Sequence, residues 1–277
     1  MTSLRVGGVD VATYVVDPPL DIRLAPRPYL HPVRTLGGTV VTDELCFDHP
    51  WHLGASVTLA DVNGWNFWGG RTFVRDQGYT WLPDHGTVRH DRWEGDTEVL
   101  RWCDGQERTV LTERRLLSAA AAPGGWELSF RYALTAPPDQ PVTIGSPATN
   151  GRTGGAGYGG FFWRCPSAAG AVASPAGQVV ASPAGQAVAS PGGQAVASPG
   201  GRAVASEENG SSAESLTLTV DDRYTLVFRG LAGDDRWFTR TDDYIGVCAA
   251  LAYEKPLLIP PGDTLSRHIR VLVLDQT

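Results

Sequence analysis

The sequence predicts an all-β protein: one large antiparallel β-sandwich over residues 1–277, carrying a flexible low-complexity loop insertion at 167–215. Three observations carry that prediction: alternation of apolar and polar residues, near absence of helical periodicity, and closely spaced turn-forming clusters. Trp126-Glu-Leu-Ser-Phe-Arg-Tyr132, Leu216-Thr-Leu-Thr-Val220 and His268-Ile-Arg-Val-Leu-Val273 alternate with period two. That period sends successive side chains to opposite faces of a sheet and buries one face. Thr87 to Trp93 has the same short-period character. The best helical candidate, Leu111 to Ala122, reads equally well as a strand followed by a loop. Asp17-Pro-Pro, Asn63-Gly, Pro83-Asp, Ala122-Pro-Gly-Gly and Pro260-Pro-Gly-Asp263 punctuate these runs, and many short strands separated by such turns indicate a sandwich or barrel.

Composition agrees with a single folded unit. A chain of 277 residues with 42% hydrophobic and 19% charged residues can fill a core, and all-β domains commonly reach about 200–250 residues. The formal charge of −7 argues against a nucleic-acid backbone as partner, since that needs a basic face. No apolar run approaches the roughly 20 residues of a membrane helix. The opening Met1-Thr-Ser-Leu-Arg-Val-Gly-Gly shows no secretory signal, so a cytoplasmic location is expected. Cys46, Cys103, Cys165 and Cys248 are widely spaced, form no C-x-x-C pair, and are expected to be reduced core residues.

From Ala171 to Ser206 an eight-residue unit repeats, beginning Ala-Val-Ala-Ser-Pro-Ala-Gly-Gln. It holds no apolar side chain larger than valine and a Pro/Gly breaker in each copy. Such a segment buries too little to offset the entropy of ordering its backbone, so a flexible loop is expected rather than a solenoid. Strand-like sequence on both sides makes it an interruption of one domain, and long surface insertions cost little.

Polar and aromatic residues concentrate between Pro28 and Trp68. Tyr29-Leu-His31-Pro-Val-Arg34-Thr35 is followed by Asp48-His49-Pro-Trp-His52 and then by Asp61-Val-Asn63-Gly-Trp65-Asn66-Phe-Trp68. Of the six histidines, all but His268 lie between His31 and His90. Histidine transfers protons near neutral pH and is a frequent metal ligand. Two sharp readings of Asp48–His52 follow. His49 and His52 could be acid/base groups with Asp48 orienting one imidazole, or His31, His49, His52 and His90 could draw on a loosely bound divalent metal. Pro50 keeps His49 extended, which excludes the helical H-E-x-x-H zinc geometry. The competing account is that these imidazoles satisfy turn and core hydrogen bonds. Most of the nine tryptophans are expected in the core, while Trp65 or Trp68 could stack on the C–H face of a sugar ring. The Gly151–Gly160 stretch lacks the Lys-Ser/Thr of a phosphate loop and reads as a loop entering a strand, with Arg164 aimed at a ligand.

Arg27-Pro-Tyr-Leu-His-Pro-Val-Arg-Thr35, Asp48-His-Pro-Trp-His52, Asp61–Trp68, Gly157-Tyr-Gly-Gly-Phe-Phe-Trp-Arg164, Trp237-Phe-Thr-Arg and Gly246-Val-Cys-Ala-Ala-Leu-Ala together resemble a bacterial group called the PmoA family. The likeness covers almost the whole chain outside the repeat. A subunit of a membrane methane oxygenase must span the bilayer, and this chain has no spanning segment. The resemblance implies instead a β-sandwich of the galactose mutarotase-like supersandwich kind. It also implies a role in carbohydrate catabolism in functional association with a sugar oxidoreductase. The group's pattern places a histidine where this chain has Trp51, which would alter or weaken an activity depending on it.

The leading expectation is therefore an enzyme acting on a small-molecule carbohydrate, a sugar or keto-sugar, by histidine proton transfer of the epimerase, lyase or hydrolase type. Its catalytic candidates are His49, His52, Asp48 and His90. Its binding candidates are His31, Arg34, Asn63, Asn66, Trp65, Trp68 and Arg164. No cofactor is expected. The alternative is a non-catalytic carbohydrate-binding or partner protein, which would keep the tryptophans and Arg164 without needing paired histidines. If His49 and His52 do not share a site, His268 and Asp242-Asp243-Tyr244 are the next place to look.

Overall fold

Period-two alternation becomes strand pairing throughout the computed structural model, which describes residues 2–168, 170–175 and 208–276. The first strands are β1 (Thr2–Val6), β2 (Val9–Val15), β3 (Tyr29–Val33), β4 (Ala55–Thr58), β5 (Asp61–Val62), β6 (Thr72–Val74) and β7 (Gly78–Thr80). A long meander follows: β8 (Thr87–Glu94), β9 (Thr97–Cys103), β10 (Thr109–Ala122) and β11 (Gly125–Thr135). Then come β12 (Val142–Gly145), β13 (Gly160–Arg164), β14 (Ala171–Pro175), β15 (Ser215–Val220) and β16 (Tyr224–Arg229). The chain closes with β17 (Arg236–Arg240), β18 (Gly246–Ala250), β19 (Leu257–Ile259) and β20 (Thr264–Asp275). The Leu111–Ala122 ambiguity resolves as strand, inside β10.

Two antiparallel sheets dominate. One has seven strands in the order β1-β2-β3-β4-β13-β18-β17, the other eight in the order β14-β15-β16-β20-β11-β10-β9-β8. Each contributes one face to a shared core. In β11, Trp126, Leu128, Phe130, Tyr132 and Leu134 are buried, and in β20, which pairs along all of β11, so are Ile269, Val271 and Val273. They meet Val57, Phe161, Trp163, Val247 and Trp237 of the seven-stranded sheet. Aromatic rings close the gap, with Phe130 against Phe161 at 4.9 Å and Trp163 against Phe228 at 5.8 Å. The fold is an all-β sandwich.

Part of the span 167–215, where a flexible insertion is predicted, is strand. Ala171–Pro175 forms β14, which pairs with β15 at the edge of the eight-stranded sheet. Ala171 and Ala173 are buried with Leu216, Leu218 and Val220, while Val172 faces outward. The Ala-Val-Ala start of the repeat alternates, and small side chains suffice at a sheet edge where the neighbouring strand supplies the bulk. Beyond the repeat, Gly210 and Ser211 exchange backbone hydrogen bonds with Trp237. Residues 176–207 lie outside the described residues.

Burying a carboxylate among β14's core-facing side chains should destabilise the protein, because the charge has no partner there. Ala173→Asp is expected to lower the melting temperature by roughly 4–10 °C, at about 2–4 °C per kcal/mol for a chain of this size. Val172→Asp, on the open face, should move it by less than about 2 °C, within the range of ordinary surface changes. Equal shifts in thermal denaturation would show that β14 does not belong to the sheet.

Candidate active site

Strand alternation also builds the site. Phe161 and Trp163 of β13 point into the core, so Phe162 and Arg164 must point to the opposite face of the seven-stranded sheet. Phe162 there pairs in register with Ser56 of β4 and Cys248 of β18, and Cys248 in turn with Phe238 of β17. These residues are nonetheless buried, because loops fold over them. Trp68, Phe162, Phe238, Cys248 and Ala250 form a second apolar cluster, flanked by Trp51, Tyr158, Tyr244 and Tyr253. Gly246 is needed for the fit, since a Cβ there would sit 3.0 Å from the rings of both Phe162 and Tyr244.

On this floor stands a charged centre. Arg164 is 1% exposed. Its Nη2 donates to both oxygens of Asp48, at 3.0 and 2.9 Å, and its Nη1 lies 3.4 Å from His52 Nδ1. Its plane covers the Tyr244 ring at 4.8 Å. Asp48 in turn accepts from His49 Nδ1 at 2.9 Å. Burial pushes the Asp48 carboxyl up, but hydrogen bonds from His49 and Arg164 outweigh it and hold the group below its ordinary value. The His49 ring lies parallel to His52 at 4.7 Å and edge-on to Trp51 at 5.3 Å. His52 is buried, and burial, reinforced by the nearness of His49, Arg164 and Arg27, which disfavours a charged ring, pulls it well below the ordinary histidine value. A guanidinium can only donate, so His52 Nδ1 accepts and its proton sits on Nε2. An ionised Asp48 can only accept, so His49 carries its proton on Nδ1 and leaves Nε2 open.

A second buried guanidinium holds the loops in place. Among the described residues Arg27 has no carboxylate partner; it donates to Ser56 Oγ (3.1 Å) and to the carbonyls of Ala25 (3.0 Å), Trp51 (2.9 Å), Leu24 (3.3 Å) and Trp68 (3.4 Å). Burial pulls its pKa down to about 9. The loop bearing His49 and His52 is thereby tied to the loop bearing Trp68. Gly69 and Gly70 make the seat for Trp51: both have positive φ, and a Cβ on Gly70 would fall 2.6 Å from the indole. His85 Nε2 donates to the Gly70 carbonyl at 2.6 Å and so braces this seat.

The structure thus brings together Asp48, His49, His52, Trp68 and Arg164 of the sequence candidates. It separates the others. His90 lies on β8 in the eight-stranded sheet, where its Nδ1 is 2.9 Å from Glu98; closeness along the chain did not specify which sheet it joins. His31 contacts Thr42 (3.0 Å) and Glu44 (3.8 Å) on the flank of the site, not its centre. Arg34 bonds the Gly38 carbonyl across a turn. Asn63 bridges to Pro141 and Thr143, and Asn66 caps its own turn by accepting from the N–H groups of Trp68 and Gly69. Trp65 packs on the main core. Arg27 and Tyr158 carry no site signal of their own in the sequence, whereas Trp51 is one of the three tryptophans expected beside the histidines. For Trp51 the signal is its place between two histidines, and for Tyr244 the Asp242–Tyr244 segment.

Among the described residues no group of three or more His, Cys, Asp or Glu side chains could hold a metal ion, and no helix is long and apolar enough to cross a membrane. Fold and site define an all-β sandwich with a histidine–arginine centre on an aromatic floor. The chain belongs to DUF6807, a family of unknown function whose model matches residues 1–277. No curated protein and no solved structure matches it.

Because His52 is neutral in the fold, the unfolded chain takes up a proton near pH 6.5 that the folded chain refuses. Stability from this group is complete above that pH and is lost as pH falls below it, by up to about 1.4 kcal/mol per pH unit. Urea denaturation at pH 7.5, 6.5 and 5.5 should show the wild type losing stability relative to His52→Gln over the lower interval. Parallel pH profiles would contradict the assignment of a buried neutral imidazole.

Proposed function

We propose that the protein catalyses proton transfer on a sugar or keto-sugar, with His49 as the acid/base group. One observation carries the reading: Asp48 engages Nδ1 of His49 while Arg164 fixes Asp48, so Nε2 is presented in one orientation on an imidazole that remains 31% exposed. This is the arrangement an acid/base histidine requires, with the third group orienting rather than exchanging the proton. His52 stays neutral and positions His49 by stacking beneath it. Tyr244, its ring 4.9 Å from His49, keeps its phenolic proton because burial raises its pKa, so it can donate to an oxygen that gains charge. Trp51, half-buried beside His49, offers a ring face for the C–H side of a sugar; Trp68 is too deeply buried for that and serves as floor.

Proton abstraction beside a keto group, or from a ring hydroxyl, would open epimerisation, elimination or hydrolysis to such a site. The reading, together with the PmoA-family resemblance and its mutarotase-like expectation, suits a cytoplasmic protein whose keto-sugar substrate is supplied by a sugar oxidoreductase. A second reading rests on His52: with only one accessible histidine, the same site could hold a carbohydrate without turning it over.

Proton NMR of sugars and keto-sugars incubated with the protein separates the two. Turnover is expected, falling by about 10²–10⁴-fold in His49→Ala, the usual share of a general acid/base group. Turnover within twofold of wild type in that variant would exclude His49. Binding without turnover would favour the carbohydrate-binding protein.

A further inference from the structure

The aromatic floor continues away from His49 toward a set of arginines that the proton-transfer reading does not use. Trp68 packs on Tyr158 at 4.5 Å, and Tyr158 on Phe238 at 5.4 Å. Two guanidiniums border this extension. Arg152 lies over Tyr79 at 4.8 Å and donates to its hydroxyl at 2.6 Å; that hydroxyl is 2.9 Å from the Tyr158 hydroxyl. Arg240 lies over Phe238 at 4.2 Å and donates to the carbonyls of Thr239 (2.8 Å) and Gly155 (3.3 Å). The Gly155 contact ties Arg240 to the loop that carries Arg152. Arg75 approaches the same loop, where a Cβ on Gly151 would fall 2.7 Å from its guanidinium carbon.

Among the described residues none of these three arginines forms an ion pair, whereas Arg164 nearby is neutralised by Asp48. Asp242 and Asp243, just beyond β17, are exposed and pair with none of them. In a chain of formal charge −7, positive charge gathered at one aromatic wall without an ion-pair partner among the described residues is a local field of the opposite sign. Planar guanidiniums already fixed by ring stacking and by one (Arg152) or two (Arg240) hydrogen bonds among the described residues keep further N–H donors for bidentate capture of an oxyanion.

We infer that the ligand of this site is a monosaccharide bearing an anionic group, carboxylate or phosphate, held by Arg152 and Arg240 while the sugar ring lies toward His49. The inference rests on the sugar reading above and names its substrate class. Neutral sugars would leave the arginines to water.

Isothermal titration of the full chain with glucose, glucuronate and glucose 6-phosphate, and with galactose and galacturonate, tests it. At least one anionic sugar should bind about tenfold or more tightly than its neutral counterpart, the scale of one charge-assisted hydrogen bond. Whichever anion gives the larger gain identifies the group as carboxylate or phosphate. The preference should shrink in high salt and collapse toward unity in Arg152→Met and in Arg240→Met. Among the described residues the Arg152 side chain bonds Tyr79 alone, so its variant keeps the test sound if loss of Arg240 loosens its loop. His49→Ala should retain the preference. An anionic preference with no turnover of any probe would overturn the proton-transfer reading and support this one. Turnover of a neutral sugar without anionic preference would do the reverse. Preference unchanged in both arginine variants, or no binding of any of these sugars in the millimolar range, would overturn the inference.

Discussion

The guanidinium of Arg27, sealed from water with only carbonyl and hydroxyl oxygens around it, is the constraint on which the site depends. A buried charge is costly unless its donors are met, and here each nitrogen finds an oxygen on the 24–25, 51, 56 or 68 segments. The benefit is geometric. Loops that would otherwise move independently over the seven-stranded sheet share one hub, and Trp51, Trp68 and the Asp48–His52 turn are held against it. Substituting an apolar residue would free those carbonyls without replacing their partner, which costs more than the loss of an ordinary hydrogen bond.

The same stretch of chain is anchored from the other side. Arg115 of β10, buried between the sheets, donates to the Pro28 carbonyl at 3.2 Å and to the Tyr14 hydroxyl at 2.9 Å, and pairs with Glu113 at 2.7 Å. Glu98 takes the Tyr14 hydroxyl and His90 Nδ1. Tyr14 belongs to one sheet and Arg115 to the other, so this network joins the sheets immediately behind the segment from which Arg27 reaches outward. His90, which clusters with the site histidines in sequence, therefore lies at the joint between sheets and away from the Arg164 centre.

Alternation made the sandwich legible, because β11, β15 and β20 each show a clean period of two and bury the residues it marks. Part of the site was legible for a related reason. Phe-Phe-Trp-Arg164 is itself a strand, and two buried inward aromatics force Arg164 to the opposite face, where a dense histidine–tryptophan loop had to find a partner. Tertiary placement was not legible. Nothing local distinguishes Arg27 from a surface arginine, since its donors are met by oxygens from four separate segments. Tyr244 reaches the site only through the β17–β18 hairpin. Asn63 and Asn66 look like hydroxyl-binding groups, yet the Asn63 amide bridges to the backbone of Pro141 and Thr143, while Asn66 caps its own turn, a role its type also favours, and donates to Thr72. The Ala171–Pro175 start of the repeat looked like loop because its side chains are small, although small side chains are adequate at a sheet edge.

Nitrogen NMR of the imidazoles near pH 7.5 tests the central claim most directly, because it reads which ring nitrogen carries the proton. The structure places opposite tautomers on two stacked rings: His49 protonated on Nδ1, facing Asp48, and His52 protonated on Nε2, with Nδ1 turned to Arg164. Two-bond nitrogen–proton correlations should show those two patterns, with the His49 pattern lost in Arg164→Met as Asp48 is released. A proton on Nε2 of His49 in the wild type would contradict the account, since the nitrogen assigned to proton transfer would then lack its lone pair and Asp48 would not be orienting the ring.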